Sequence, residues 1–315
     1  MIMRLKIWVA ALALIASAAQ AHAADKLTVL LDWYVNPNHM PLVVAQEGGY
    51  FAKHDLDVDL LPPPGDAAAP PRLVAAGQAD IAIDYQPDLM LQLKEGLPLI
   101  RFGTLIETPL NALIVLEDGP IRSLADLKGK TIGYSIPGFQ DAYVTAILSM
   151  VGLSADDIES INLNFNLVAP LLAGQVDAVM DAYRNVELIQ MELEGHRAVA
   201  YYPEENGVPA YDELIYVAHS DNRDDPRLRR FIAAIEEATI FLTNHPDEAL
   251  DLFLKAHRDL DDELNRRSFA ATLPRFAKRP GALDVNRYDR FAAFLQERGL
   301  IDVVPEIGTY AIEPR

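Results

Sequence analysis

The stretch AGQADIAIDY, Ala76 to Tyr85, returns far along the chain as AGQVDAVMDAY, Ala173 to Tyr183. Each copy reads as a helix end, a glycine that turns the backbone, and an apolar strand finishing on Asp and Tyr. Ligands of open parallel sheets sit beyond the C-terminal ends of the strands. A chain of 315 residues has room for two domains. Writing one helix–turn–strand unit twice therefore predicts two like-built α/β lobes. Asp84 and Tyr85 would face Asp181 and Tyr183 across a cleft between them. Ala-Gly-Gln-x-Asp is also common turn chemistry, so a chance match of two unrelated turns is the alternative.

The rest of the chain supplies the grammar for such lobes. KLTVLLDW, LDVDLLP and ADIAID read as strands, and helical spacing in MPLVVAQEGGYF and RLVAAG separates them. The pattern restarts with KTIGYS, the amphipathic DAYVTAILSMVG, the alternating INLNFN and then the second repeat copy. Strands separated by helices predict parallel sheets. From Asp225 onward, apolar residues at three- and four-residue spacing predict helices. Two short apolar strands, NALIVLED and ELIYVAHSD, stand at the joins and read as crossings near 113–116 and 214–217. Lobe one is then expected to hold 25–112 and 218–315, and lobe two 117–213.

The first 23 residues read as an address. Arg4 and Lys6 precede the apolar IWVAALALIASAA, and small residues ending near Ala23 offer a cleavage site. That is the form of a secretory leader, too short in its apolar part to span a bilayer comfortably. The chain has no cysteine, which removes disulfides, thiol nucleophiles, Cys-zinc sites and a lipid tether through Cys. An exported, untethered protein points to the periplasm of a Gram-negative cell. The formal net charge is −19, and losing the leader would remove two cations and no acid. Such a surface repels nucleic acid and anionic lipid, so neither is an expected partner.

Two stretches offer ligand contacts. DWYVNPNH, just past the first strand, gathers Trp33, Asn36, Asn38 and His39. Asn-Pro-Asn is turn chemistry first, and Trp33 could equally be a core anchor. Their crowding at a strand end favours a binding surface. In DAYRNVE, Tyr183 and Glu187 lie four apart and share a face if a helix starts there, with Asn185 between them. A flat ring held between Trp33 and Tyr183 would gain stacking, and Glu187 could bond an exocyclic amine. Ser135, in GYSIPGF, stands at a strand end where a ligand tail could meet backbone N–H groups. No paired-histidine metal motif and no Gly-rich phosphate loop is present, so no cofactor is expected.

DWYVNPNH, AQEGGYF, LDVDLLPP, AGQADIAI, SLADLKGKTIGYS and AGQVDAVMDAYRNVE resemble, in order and spacing, the thiamine-pyrimidine-synthase-like family. Its exported bacterial members are solute-binding components of ABC importers for thiamine pyrimidine precursors such as formylaminopyrimidine. The resemblance implies a type II periplasmic-binding-protein fold, α/β, with two parallel-sheet lobes joined by two crossing strands. It implies an aminopyrimidine stacked on Trp33 and Tyr183, with polar contacts from Asn38, His39 and Glu187. It also implies delivery by a monomer to a permease in the inner membrane. Arg184 stands where such proteins usually carry Trp. The family's enzymes carry a cysteine-rich motif where this chain reads PAYDELIY, so a binding protein is expected and an enzyme is not.

Overall fold

The computed structural model describes residues 23–65, 68–135 and 139–314; the expected leader, up to residue 22, lies outside them. The strands are β1 (Asp25–Leu30), β2 (Leu56–Leu61), β3 (Ile81–Asp84), β4 (Leu99–Ile106), β5 (Asn111–Leu116), β6 (Thr131–Tyr134), β7 (Glu159–Asn162), β8 (Ala178–Tyr183), β9 (Ala198–Tyr201) and β10 (Leu214–His219). They form two five-stranded sheets of the same plan, ordered β2-β1-β3-β10-β4 and β7-β6-β8-β5-β9. In each, three strands run parallel, and the fourth is antiparallel to both of its neighbours. The two sheets belong to two lobes.

The sheets are therefore mixed where strand–helix alternation predicted parallel ones. The difference lies in the two apolar joins. NALIVLED and ELIYVAHSD enter the sheets as β5 and β10, which are buried along almost their whole length. Strands apolar on both faces are excluded from water only in a sheet's interior. Each lies beside a repeat strand, β5 beside β8 and β10 beside β3. The chain passes from the first sheet to the second over residues 107–110 and returns over 202–213.

The repeat is legible atom by atom. Gly77 and Gly174 take φ of +70° and +67°, a left-handed turn that glycine enters without a Cβ clash. In both copies the next two amides close the helix, Gly77 N–H to Val74 O and Gln78 N–H to Leu73 O, then Gly174 N–H to Leu171 O and Gln175 N–H to Pro170 O. The first aspartate then ties two parallel strands together. Asp80 Oδ2 accepts from Thr28 N–H at 2.9 Å, and Asp177 Oδ2 accepts from Thr131 N–H at 3.0 Å. The shared letters are a shared piece of covalent geometry.

The copies diverge at their ends. The second is one residue longer before its tyrosine, and β8 has a register shift against β5 there. Asp181 takes φ of +61°, a region Asp tolerates better than most residues. A bulge of this kind re-aims a side chain. Asp84 stays buried, whereas Asp181 is only half-buried.

C-terminal helices brace the first sheet. The helix Pro226–Asn244 starts on Asp225, whose side chain accepts from Arg227 N–H, and Pro226 sits at its first turn. It lays Phe231 on Phe51 at 5.5 Å, with Phe102 and Tyr216 edge-on to the same ring. Buried Arg101 in β4 donates to Thr104 Oγ1 and to the carbonyls of Ala282 and Ile312, which ties the chain's end to the sheet.

Candidate functional site

The C-terminal ends of β3 and β8 meet, as the repeat predicts. Tyr85 and Tyr183, the last letters of the two copies, are both buried and line one cavity. Burial pushes both phenols far above their ordinary pKa. Tyr85 O–H donates to Asp32 Oδ2 at 2.9 Å. Asp32 Oδ1 takes the Nε2–H of His39 at 2.9 Å, and His39 Nδ1 accepts from Asn36 N–H at 3.2 Å. A backbone donor on Nδ1 places the ring's proton on Nε2, which makes one continuous chain from Tyr85 to His39.

A cavity of about 30 Å³ lies beside the two tyrosines. Its walls are Trp33, Tyr85, Pro87 and Asp88 from one side and Ser135, Phe165, Leu167, Asp181 and Tyr183 from the other, with Asn111 and Glu213 at its floor. That volume is about one water's share of the liquid, ~30 Å³. The rings explain the tightness. Trp33 is stacked on Phe165, centroids 5.8 Å apart and planes at 17°. Tyr183 meets Trp33 edge-on, at 6.3 Å and 78°. The expected sandwich of Trp33 and Tyr183 is thus corrected in one respect. The ring parallel to Trp33 is Phe165, in the turn after β7, where a longer strand INLNFN was expected.

Trp33, Tyr85, Ser135 and Tyr183 line the cavity, and six other expected contacts do not. Asn36 caps the short turn Pro37–His39, its Oδ1 accepting from Asn38 N–H at 2.8 Å. His39 is buried against Asp32 as described. Asn38 and Asn185 bond to each other, Asn185 Nδ2 reaching Asn38 Oδ1 at 2.7 Å and Thr272 Oγ1 at 2.6 Å. They join the segment after β8 to the first lobe. Glu187 opens the helix Glu187–Leu193 and accepts Tyr183 N–H at 2.6 Å. Asp84 takes Gln92 Nε2 at 3.2 Å, with its Oδ2 buried and without a partner among the described residues. The physical reason is common to all six: a polar side chain near a strand end satisfies the backbone or a buried neighbour before it can reach a cleft.

Sequence reasoning missed Phe165, Asn111 and Glu213. Glu213 stands just before β10, and its Oε2 accepts Leu110 N–H at 2.5 Å and Asn111 N–H at 3.1 Å. It pins the outgoing passage to the returning one. Burial raises Asp84, Glu187 and Glu213 alike to about 7. For Glu213 the two backbone donors and the Arg184 guanidinium work against that rise. Among the described residues no Lys, Arg or His lines the cavity, while Asp88, Asp181 and Glu213 do. The described wall presents carboxylate and amide oxygens beside aromatic faces.

Two lobes of this plan, joined by two passages with an aromatic cavity between them, make up the periplasmic-binding-protein fold. A Candida albicans protein described as having that generic fold superposes with a TM-score of 0.72 over 92% of this chain and 97% of its own, at 19% identity. The alkanesulfonate-binding protein SsuA from Xanthomonas axonopodis pv. citri, bound to MOPS, superposes at 0.71 over 91% and 96%, at 17% identity. At such identities the likeness is one of fold. The chain belongs to the NMT1/THI5 like family, whose model matches residues 36–249. It is 46% identical to a Haemophilus influenzae protein named putative thiamine biosynthesis protein, over 92% of this chain and 93% of that one. It is 31% identical to the formylaminopyrimidine-binding protein of Halalkalibacterium halodurans, over 82% and 79%. A Schizosaccharomyces pombe relative named 4-amino-5-hydroxymethyl-2-methylpyrimidine phosphate synthase stands at 26%, over 78% and 74%.

Proposed function

We propose that the protein binds a small aminopyrimidine, a thiamine precursor, and presents it to an ABC permease in the inner membrane. On this reading residues 1–23 are a leader removed near Ala23, and the mature protein works as a monomer in the periplasm. The observation that carries the reading is the cavity wall: Trp33 against Phe165 and Tyr183 of the opposite lobe, with carboxylates and, among the described residues, no cation beside them. A planar ring with amino groups satisfies such a wall on its faces and on its edge. The 31% relative named for formylaminopyrimidine supports the same class.

Binding works by hinge motion. The cavity is too small for a ring while Phe165 lies on Trp33, so the lobes part, the ring takes the place of Phe165 against the indole, and the lobes close. The closed form is what a permease would read. Two stacking faces and a few hydrogen bonds are enough for micromolar affinity, about −8 kcal/mol, after ordering costs.

The chain's tryptophans are Trp8, within the leader, and Trp33. In the protein lacking residues 1–23, emission therefore reports on one wall of the site. Titration with formylaminopyrimidine is expected to change that emission saturably, while taurine and nitrate leave it unchanged. A panel in which sulfonates alone shift the emission overturns the proposal in favour of an anion carrier. An enzyme is the weaker reading, since no thiol exists in the chain. A pyrimidine product formed by the pure protein with pyridoxal phosphate and iron would establish it.

A further inference from the structure

Two polar groups at the cavity floor have no counterpart in the contacts the sequence suggested. Asn111 opens β5 and is 5% exposed. Its Nδ2 donates to Asp181 Oδ1 at 3.1 Å. A carboxylate only accepts, so this partner fixes the amide's orientation. Asn111 Oδ1 is then a buried acceptor on the cavity wall with no partner among the described residues. A buried acceptor left unsatisfied costs about 1–3 kcal/mol, which a ligand N–H would recover. Beside it, Glu213 is 2% exposed and lines the same cavity. Its Oε2 already holds the amides of Leu110 and of Asn111 itself, so the two side chains are fixed relative to each other.

We propose that Asn111 and Glu213 read the donor edge of the ligand, the amide oxygen taking an exocyclic amine and the carboxyl sharing one proton with a neighbouring ring nitrogen. This rests on the function proposed above and deepens it: the site takes neutral or singly cationic amino-heterocycles and rejects the phosphate ester of the same ring. A phosphate would enter a cavity walled by Asp88, Asp181 and Glu213, with no Lys, Arg or His lining it among the described residues. The groups acting on Glu213 come from several elements. Tyr211 precedes it, Tyr183 lies in β8, and the Arg184 and Arg275 side chains bear on it from beyond the cavity. Asp181 and Asp88 stand on the cavity wall with it. The arginines, the two backbone amides and Tyr211 favour the carboxylate, whereas burial favours the carboxyl. One shared proton is needed for the paired arrangement, so affinity falls as pH rises past neutrality and neither partner holds that proton. The same carboxyl spans both passages between the lobes, so the bond that selects the ring also forms at the hinge.

The test is calorimetric titration of the chain lacking residues 1–23 with 4-amino-5-hydroxymethyl-2-methylpyrimidine and with its phosphate ester, from pH 6 to 8.5. The wild type is expected to bind the alcohol at least tenfold more tightly than the ester, with affinity declining toward pH 8.5. Glu213→Gln keeps an acceptor for both backbone amides and loses the titrating proton. It is expected to weaken the alcohol at least tenfold at pH 6.5 and to flatten the pH profile. Asn111→Ala is expected to weaken binding about tenfold with the profile intact, and it carries the test if the first variant fails to fold. Wild-type binding of the alcohol with neither variant altered, or equal binding of the ester, overturns this inference alone. Failure of the wild type to bind any aminopyrimidine overturns the functional proposal as well.

Discussion

Replacing Asp32 with alanine is expected to lower the stability of the protein by about 3–5 kcal/mol and to weaken ligand binding with it. Asp32 is 2% exposed and is the common acceptor for His39 Nε2–H and Tyr85 O–H. Without it both donors remain in a dry interior, each costing about 1–3 kcal/mol, and the lost volume adds a cavity term. The damage reaches the site because Tyr85 itself lines the cavity, beside Tyr183. Freed of Asp32, Tyr85 loses the anchor that fixes the wall against which Trp33 stands. Urea unfolding measures the first effect and calorimetry the second. Asp32→Asn retains one acceptor oxygen and is expected to show roughly half the loss in stability. A fall below about 1 kcal/mol for the alanine variant would mean that imidazole and phenol find other acceptors, and the wall would then owe nothing to this network.

That network also shows what a sequence can and cannot disclose. The repeat was legible because its letters encode backbone geometry: a glycine at positive φ, and an aspartate tying one parallel strand to the next. From that, Tyr85 and Tyr183 were expected on facing walls of one cleft, together with Asp84 and Asp181; both tyrosines and Asp181 line the cavity, and Asp84 does not. The two apolar stretches were legible as strands, but they lie inside the sheets, antiparallel to their neighbours, and are not the crossings expected at 113–116 and 214–217. Alternation reports which faces are buried and says nothing of which neighbour buries them. The polar loop residues were the hardest to place. Asn38, His39, Asn185 and Glu187 belong to the residue types a ligand site uses, and a buried structural network uses the same ones. Only partners distinguish the two, and these partners lie far off in the chain, as Thr272 does from Asn38. Glu213 was invisible for the opposite reason. Its chemistry depends on the amides of Leu110 and Asn111, which the return passage brings to it. Phe165 carried a usable signal, an aromatic just beyond a strand end, hidden by reading that strand too long.

The remaining large effect is the dependence of stability on pH. Burial raises Asp84 from 3.8, and Glu187 and Glu213 from 4.5, to about 7 in the folded protein. An acid whose folded pKa lies above its unfolded value is held more tightly as the neutral carboxyl in the folded state. Its contribution is complete below the unfolded pKa and is lost as pH rises through the folded one. The folded protein is therefore expected to be more stable at pH 5 than at pH 8.5, by on the order of 3 kcal/mol for each such carboxyl. Asp225 works the other way, since Arg227 holds it below its ordinary value, but that contribution changes only at more acid pH. Urea midpoints at the two pH values measure the slope. Glu187→Gln isolates one share of it, because glutamine still accepts the Tyr183 amide and cannot ionise. That variant is expected to match the wild type at pH 5 and to exceed it by about 2–3 kcal/mol at pH 8.5. Equal wild-type midpoints at both pH values would mean that these carboxyls ionise in the folded protein at ordinary values. Water or a bound cation would then have to reach carboxyls that are all buried, of which Glu213 alone lines the cavity.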